Sequence, residues 1–267
     1  MIESRRRTLV TQRTLGHGPR EVFATGRGPC VVGFHGFTGT AAEIRPLLAA
    51  AGDAGFAVDG ALLPGHGTFA VDLQPIRFDD WVDAARVRAR KAIDAYGRIV
   101  LLGFSLGALV AMQLASEELE GVAGLVVLGN ALTLGASSRW PLGLWARSGR
   151  PMPDIYLLKP RPGNLVDPSC CDELVTYDRH PLRAALEVYR AGHRVRGVVG
   201  RIRCPTLVLH GRRDVVCPWS NAPWLAAHTG TRDAMVRVFD RSAHVLAWDG
   251  ERDAVAREVT AFVARIA

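Results

Sequence analysis

A chain of 267 residues that is 48% hydrophobic and 22% charged has the make-up of a soluble globular protein, which excludes disorder along its whole length and any need for disulfide or metal staples. The formal net charge is +7, almost all of it arginine scattered along the chain; the only lysines are Lys91 and Lys159, and the densest cluster is Arg5-Arg6-Arg7. With neither zinc-finger spacing nor an RNA-recognition motif, that charge reads as a solvated basic surface and points to no nucleic-acid partner.

Short apolar runs alternate with longer helical patterns, which argues for a mostly parallel α/β sheet. Before residue 28 there is little strand character, so strands there should be short or absent. Cys30 to Phe34 reads as a buried strand, Ala41 to Ala54 as a helix and Phe56 to Leu63 as a strand that stops at Pro64-Gly65. Phe78 to Tyr96 is an amphipathic helix opened by Asp79 and Asp80, whose charges suit a helix N-terminus. Arg98 to Phe104 is the clearest buried strand, followed by a helix of small and apolar residues from Leu106 to Glu118 and a strand from Val122 to Leu128. The rhythm breaks between Ala131 and Arg203, where prolines and tryptophans intervene and only Pro181 to Val199 is helix-like. It resumes with a strand at Cys204 to His210, a helix near Ala222 to His228, a strand at Met235 to Asp240 and a final amphipathic helix from Glu251 to Ile266. The simplest architecture is one α/β core, residues 1–130 and 204–267, with a cap inserted at 131–203 between the sixth and seventh strands of its sheet.

Gly103-Phe104-Ser105-Leu106-Gly107 matches G-x-S-x-G at a strand-to-helix junction. The chemistry needs that spacing. The serine occupies a sharp turn with its hydroxyl exposed, the glycines let the backbone pass closely, and the following helix N-terminus favours developing negative charge. A serine needs a histidine base oriented by a carboxylate. On a sheet with this turn the order is serine, acid, histidine, with the site beyond the carboxyl ends of the strands. The acid is therefore sought after strand 204–210, where Asp214 stands, and the base after strand 235–240, where His244 stands. Asp240 is the rival carboxylate, at the strand end and four residues before His244. An oxyanion hole requires the N–H of Leu106 and one from the loop His35-Gly36-Phe37-Thr38-Gly39, for which Phe37 is the candidate. His66 reads as structural.

HGFTG, LPGHGT, GFSLG, HGRRD and SAHV, in this order, resemble the bacterial carboxylesterase and monoacylglycerol lipase group of the α/β-hydrolase superfamily, over about residues 28 to 267. The resemblance implies an α/β-hydrolase fold, hydrolysis of short to medium acyl esters under a small cap, a triad on Ser105, Asp214 and His244, and oxyanion donors on Phe37 and Leu106. The same triad also serves acyl transfer, thioester or lactone cleavage and perhydrolysis, and the fold also carries non-catalytic ligand receptors. Phe37, Trp140 and Trp145 are the candidate substrate contacts; the apolar residues of the insertion fit either an apolar ceiling over the site or the cap's own core.

No cofactor or metal pattern is present. The five cysteines, Cys30, Cys170, Cys171, Cys204 and Cys217, are odd in number and without ligand spacing, as in a reduced cytoplasmic chain. The charged N-terminus has no apolar stretch behind it, and no run of ~18 apolar residues occurs, so neither a signal peptide nor a membrane span is expected.

Overall fold

The computed structural model covers residues 21–159 and 164–267, without the side chains of residues 170 and 171. The Arg5-Arg6-Arg7 cluster, any strand before residue 21 and the Cys170–Cys171 pair lie outside that description.

Seven described strands form one sheet. They are β1 (Val22–Ala24), β2 (Arg27–Phe34), β3 (Phe56–Gly60), β4 (Ile99–Phe104), β5 (Val122–Leu128), β8 (Thr206–Gly211) and β9 (Ala234–Phe239), in the order β1-β3-β2-β4-β5-β8-β9. β1 runs antiparallel to β3; every other pairing is parallel. The short strand expected ahead of residue 28 is β1, three residues long. The remaining two strands, β6 (Tyr156–Leu158) and β7 (Arg179–Pro181), pair antiparallel as a separate ribbon between β5 and β8.

Helices cover both faces, as parallel strands require. β4 shows the division. Ile99 and Leu101 face one core with Cys30, Val32, Leu125 and Val127, under α2 (Phe78–Tyr96) and α3 (Leu106–Ala115). Val100, Leu102 and Phe104 face the other with Val126, Leu207 and Leu209, under α1 (Arg45–Asp53) and α7 (Arg252–Ile266). All ten residues of α3 are buried, which explains its uniformly apolar and small composition. α6 (Asn221–His228) links β8 to β9.

The expected helix 41–54 divides in two. Pro46 has no N–H to give to residue 42, so Ala41–Ile44 forms a 3-10 turn and the α-helix starts at Arg45. The strand expected over 56–63 ends at Gly60; beyond it the N–H of Leu63 bonds the His35 ring instead of a neighbouring strand.

The segment between β5 and β8 contains α4 (Ala136–Ser148), the β6–β7 ribbon and α5 (Leu182–Arg196). α4 departs from the sequence reading, which placed no helix there, because Pro141 lies inside it. Leu142, Met152 and Leu186 make a small apolar cluster of this segment's own, with Trp145, Leu182 and Tyr189 around it. α5 also buries Ala184, Val188, Ala191 and Val195 in the core that contains α3, so the segment is anchored to the sheet's helical layer.

Candidate active site

The register of β2 with β4 ends on Phe34 opposite Gly103, and that of β4 with β5 on Phe104 opposite Leu128. Strand ends therefore stand level, and the loops after β2, β4, β8 and β9 meet at one edge of the sheet.

Ser105 is the hinge between β4 and α3. Its backbone has φ 54° and ψ −110°, a left-handed conformation that L-residues rarely adopt, and its N–H donates to Leu128 O at 3.0 Å. The flanking glycines make the turn possible. A Cβ on Gly107 would stand 2.1 Å from Phe34 O, and one on Gly103 would stand 2.3 Å from Gly107 O. The same close approach presses the loop after β2 against the turn.

His244 Nε2 accepts from Ser105 Oγ at 3.0 Å, and His244 Nδ1 donates to Asp214 Oδ2 at 2.7 Å. All three residues are buried. The tautomer is set by these partners: a carboxylate takes the Nδ1 proton, which leaves the Nε2 lone pair for the hydroxyl. The Asp214 Oδ1 atom accepts the N–H groups of Val216 and Cys217, each at 2.8 Å. Burial alone would raise the Asp214 carboxyl; the charge of His244 and hydrogen bonds from His210 and His244 outweigh it and hold the group well below the usual carboxylate range. Asp240 is elsewhere: its side chain is 77% exposed and bonds Arg212 Nε at 3.1 Å. A serine, a histidine and a carboxylate in this line can pass a proton from hydroxyl to ring while the carboxylate steadies the ring.

The loop after β2 is tied down at almost every N–H. Gly36 donates to Glu43 Oε2 at 2.8 Å, Thr38 to His66 Nε2 at 3.3 Å and Gly39 to Gly36 O at 3.2 Å. Between them the N–H of Phe37 has no partner among the described residues, and the N–H of Leu106, at the first position of α3, has none either. Two buried histidines brace this loop. His66 donates from Nδ1 to the Pro64 and Leu63 carbonyls, and His35 donates from Nδ1 to Gly36 O while its Nε2 accepts from Leu63. Burial lowers His35 to about 4 and His66 well below its ordinary value, so both rings keep one proton and these roles persist at neutral pH. The structural reading of His66 agrees with this placement.

Thr38, itself at φ 66°, is gripped from the inserted segment: its carbonyl accepts from Tyr177 N–H and from Thr176 Oγ1, and its hydroxyl from Lys159 Nζ. The Phe37 ring stacks on His180 with centroids 5.8 Å apart. Trp140 and Trp145 both lie on α4. Trp145 donates to Arg150 O and packs on the segment's own cluster, while Trp140 is 64% exposed beside Arg139.

Sequence reading missed three residues that hold the triad loops. His210, Asn164 and Asp249 reach them only through the fold. Asn164 O accepts the N–H of His244 at 2.9 Å, and Asn164 Oδ1 accepts the N–H of Val215 at 3.0 Å. Asp249 is fully buried, and its carboxyl oxygens accept N–H groups from Ala243, Val166, Asp167 and Gly250 at 2.7 to 3.1 Å. Asp249→Ala would leave those donors without an acceptor next to His244. A loss of about 2–4 kcal/mol of stability is expected, read as a lower urea midpoint with an unchanged slope.

The family described as serine aminopeptidase, S33, matches residues 27–251. This chain belongs to that family. The S33 chain is 27% identical over 246 residues to a thermostable monoacylglycerol lipase of Bacillus sp. (strain H-257), covering 92% of this chain and 94% of the relative. It is 22% identical to a carboxylesterase of Bacillus subtilis (strain 168), covering 93% and 97%. Among solved structures, one of the metagenome-derived lipolytic enzymes LipS and LipT superposes with a TM-score of 0.82 at 21% identity, covering 94% of this S33 chain and 99% of the other. The fold is thus that of the α/β-hydrolases. Among the described residues no helix is long and apolar enough to cross a membrane.

Proposed function

We propose that this S33 chain is a carboxylic-ester hydrolase with Ser105 as nucleophile, His244 as base, Asp214 as orienting acid, and the N–H groups of Phe37 and Leu106 as oxyanion donors. One observation carries the reading. A serine already bonded to a carboxylate-held histidine stands beside two N–H groups that the surrounding fold leaves open, in a loop where the neighbouring N–H groups are occupied.

The chemistry follows from these positions. Ser105 Oγ attacks the ester carbonyl carbon as its proton moves to His244 Nε2. The carbonyl oxygen becomes an oxyanion beside the Phe37 and Leu106 N–H groups and the N-terminus of α3. The intermediate collapses, Nε2 returns the proton to the leaving alkoxide, and the alcohol departs from an acyl-Ser105. Water then repeats the sequence, giving its proton to Nε2 and releasing the acid. Asp214 stays ionised throughout and stabilises the imidazolium.

The relatives named for monoacylglycerol and carboxylic-ester cleavage support an ester over the peptide in the family's description. Residues 131–203 act as the cap, fixed to the core by α5 and to the oxyanion loop through Tyr177, Thr176 and Lys159. The substrate is a small molecule with a short to medium acyl chain, Phe37 contacts it, and Trp140 and Trp145, both on α4 of the cap, are the further candidate contacts. The free thiols of Cys30, Cys204 and Cys217 support a cytoplasmic setting.

A panel of nitrophenyl esters from acetyl to palmitoyl, monoacyl- and triacylglycerols and aminoacyl nitroanilides, each below its micelle threshold, tests the reading. Each methylene buried contributes up to ~0.8 kcal/mol, roughly fourfold in kcat/KM. Activity is expected to rise from acetyl to about hexanoyl or octanoyl and to fall beyond, with monoacylglycerols accepted, triacylglycerols poor and anilides inert. Nitroanilide cleavage outrunning every ester would overturn the proposal.

A further inference from the structure

The carboxylate that orients the catalytic histidine is held by a second histidine. His210, the penultimate residue of β8, is fully buried, and its Nε2 lies 3.1 Å from Asp214 Oδ2 and 3.0 Å from Cys217 O. Both partners are acceptors, so the ring proton sits on Nε2. Nδ1 is also buried and has no partner among the described residues. A lone pair shut away from water without a donor is a cost, and an apolar side chain filling the same space would not carry it. Packing therefore does not account for an imidazole here, whereas the Nε2–H does.

With that bond counted, Asp214 has two donors on each oxygen. Val216 and Cys217 N–H groups hold Oδ1, and His244 and His210 share Oδ2. The two bonds on Oδ2 differ in length, 2.7 Å to His244 against 3.1 Å to His210, so the catalytic ring takes the stronger share.

We propose that His210 is a positioning residue of the ester-hydrolysing site, acting through Asp214: its Nε2–H fixes the oxygen that faces His244 and draws off part of that oxygen's charge. The inference rests on the triad reading above. Two consequences follow. Without the bond Oδ2 has freedom to swing, the His244 ring loses its fixed aim at Ser105, and kcat falls while KM holds, because the fully buried His210 does not meet the substrate. Oδ2 also presents more negative charge to His244, which favours the imidazolium. Attack needs the unprotonated ring, so the acid limb of the pH profile moves to higher pH.

The other titratable groups around the two rings are few. Glu43, in the turn before α1, interacts electrostatically with both Lys159 and His244, and Cys217 lies beside His210 and Asp214. Burial and then Asp214 push the Cys217 thiol well up, so it keeps its proton across the working range. A limb set by Glu43 would be blind to a substitution at His210.

The test compares His210→Phe, which keeps a flat ring and removes the donor, with His210→Gln, whose amide nitrogen reaches toward the place of Nε2. On a short nitrophenyl ester His210→Phe is expected to lower kcat about tenfold with KM unchanged, and to raise the acid limb of kcat/KM by about half a pH unit. His210→Gln should restore most of both. A folded His210→Phe with the wild-type kcat and limb overturns the inference, as does equal damage in both variants with the limb unmoved. Nitrogen NMR of the unaltered protein gives an independent reading: His210 must carry its proton on Nε2, and a proton on Nδ1 overturns the inference even if neither variant folds. Ser105→Ala, measured alongside, separates the two readings. An active Ser105→Ala sinks the triad, whereas an inert Ser105→Ala with an unshifted His210→Phe sinks only the role of His210.

Discussion

Ser105→Ala is expected to lower kcat on a short nitrophenyl ester by about 10⁴-fold or more while the unfolding midpoint hardly moves. The two halves of that result come from different parts of the turn. Activity depends on Oγ, the atom that bonds His244 Nε2 and would form the acyl bond. Stability depends on the backbone, and alanine leaves it alone. The left-handed turn is imposed by β4 on one side and by α3, seated against Phe34 O and His35 O through Gly107, on the other. Removing one hydroxyl from a buried position costs little when its partner, the His244 ring, keeps its stronger bond to Asp214. A fluorophosphonate should form a single adduct, on Ser105, and none on the alanine variant. Rates that persist in Ser105→Ala, or an adduct on another residue, would show that the nucleophile lies elsewhere.

How much of this was legible in the sequence depends on how far apart the interacting residues lie. α2 was expected over Phe78 to Tyr96 and runs over those residues, because its apolar period and acidic first turn are local signals. The same holds for β4, β5 and the final helix. Triad candidates could be named because each one follows a strand end, and strand ends are readable. What failed to show was whatever depends on contact across the chain. Asn164 holds the His244 N–H from 80 residues away, and nothing near residue 164 signals it. Asp249 looks like any loop aspartate until Ala243, Val166 and Asp167 converge on it. The α4 helix was hidden by Pro141 and Gly143, weak helix formers whose cost is met by packing against α5. His210 was visible as part of HGRRD, yet its role needed the turn that brings residue 214 back onto its ring.

Asp214→Asn should be nearly as inactive as the serine variant, by about 10⁴-fold in kcat, although it changes one atom for another of similar size. The reason lies in the donors already present. Oδ1 receives two N–H groups and Oδ2 receives two imidazole N–H groups. An asparagine amide has one acceptor end, so in either orientation its NH₂ meets two donors. Facing the rings, it drives the His244 proton from Nδ1 to Nε2, and the atom that should accept from Ser105 becomes a donor. Facing the loop, it breaks the turn at Val216 and Cys217 that holds the residue in place. Asp240→Asn, by contrast, touches an exposed pair with Arg212 and should keep most of its activity. Stability gives a second reading with a definite sign. Because the folded Asp214 carboxyl lies below its unfolded value of about 3.9, its contribution is complete above that pH and is lost as the pH falls toward the folded value. Urea midpoints of the native chain should therefore drop below about pH 4 more steeply than those of Asp214→Asn, which has no carboxyl there to protonate. Equal slopes would mean that Asp214 is not held ionised by its two histidines, and an active Asp214→Asn beside an inert Asp240→Asn would mean that the orienting carboxylate is the other one.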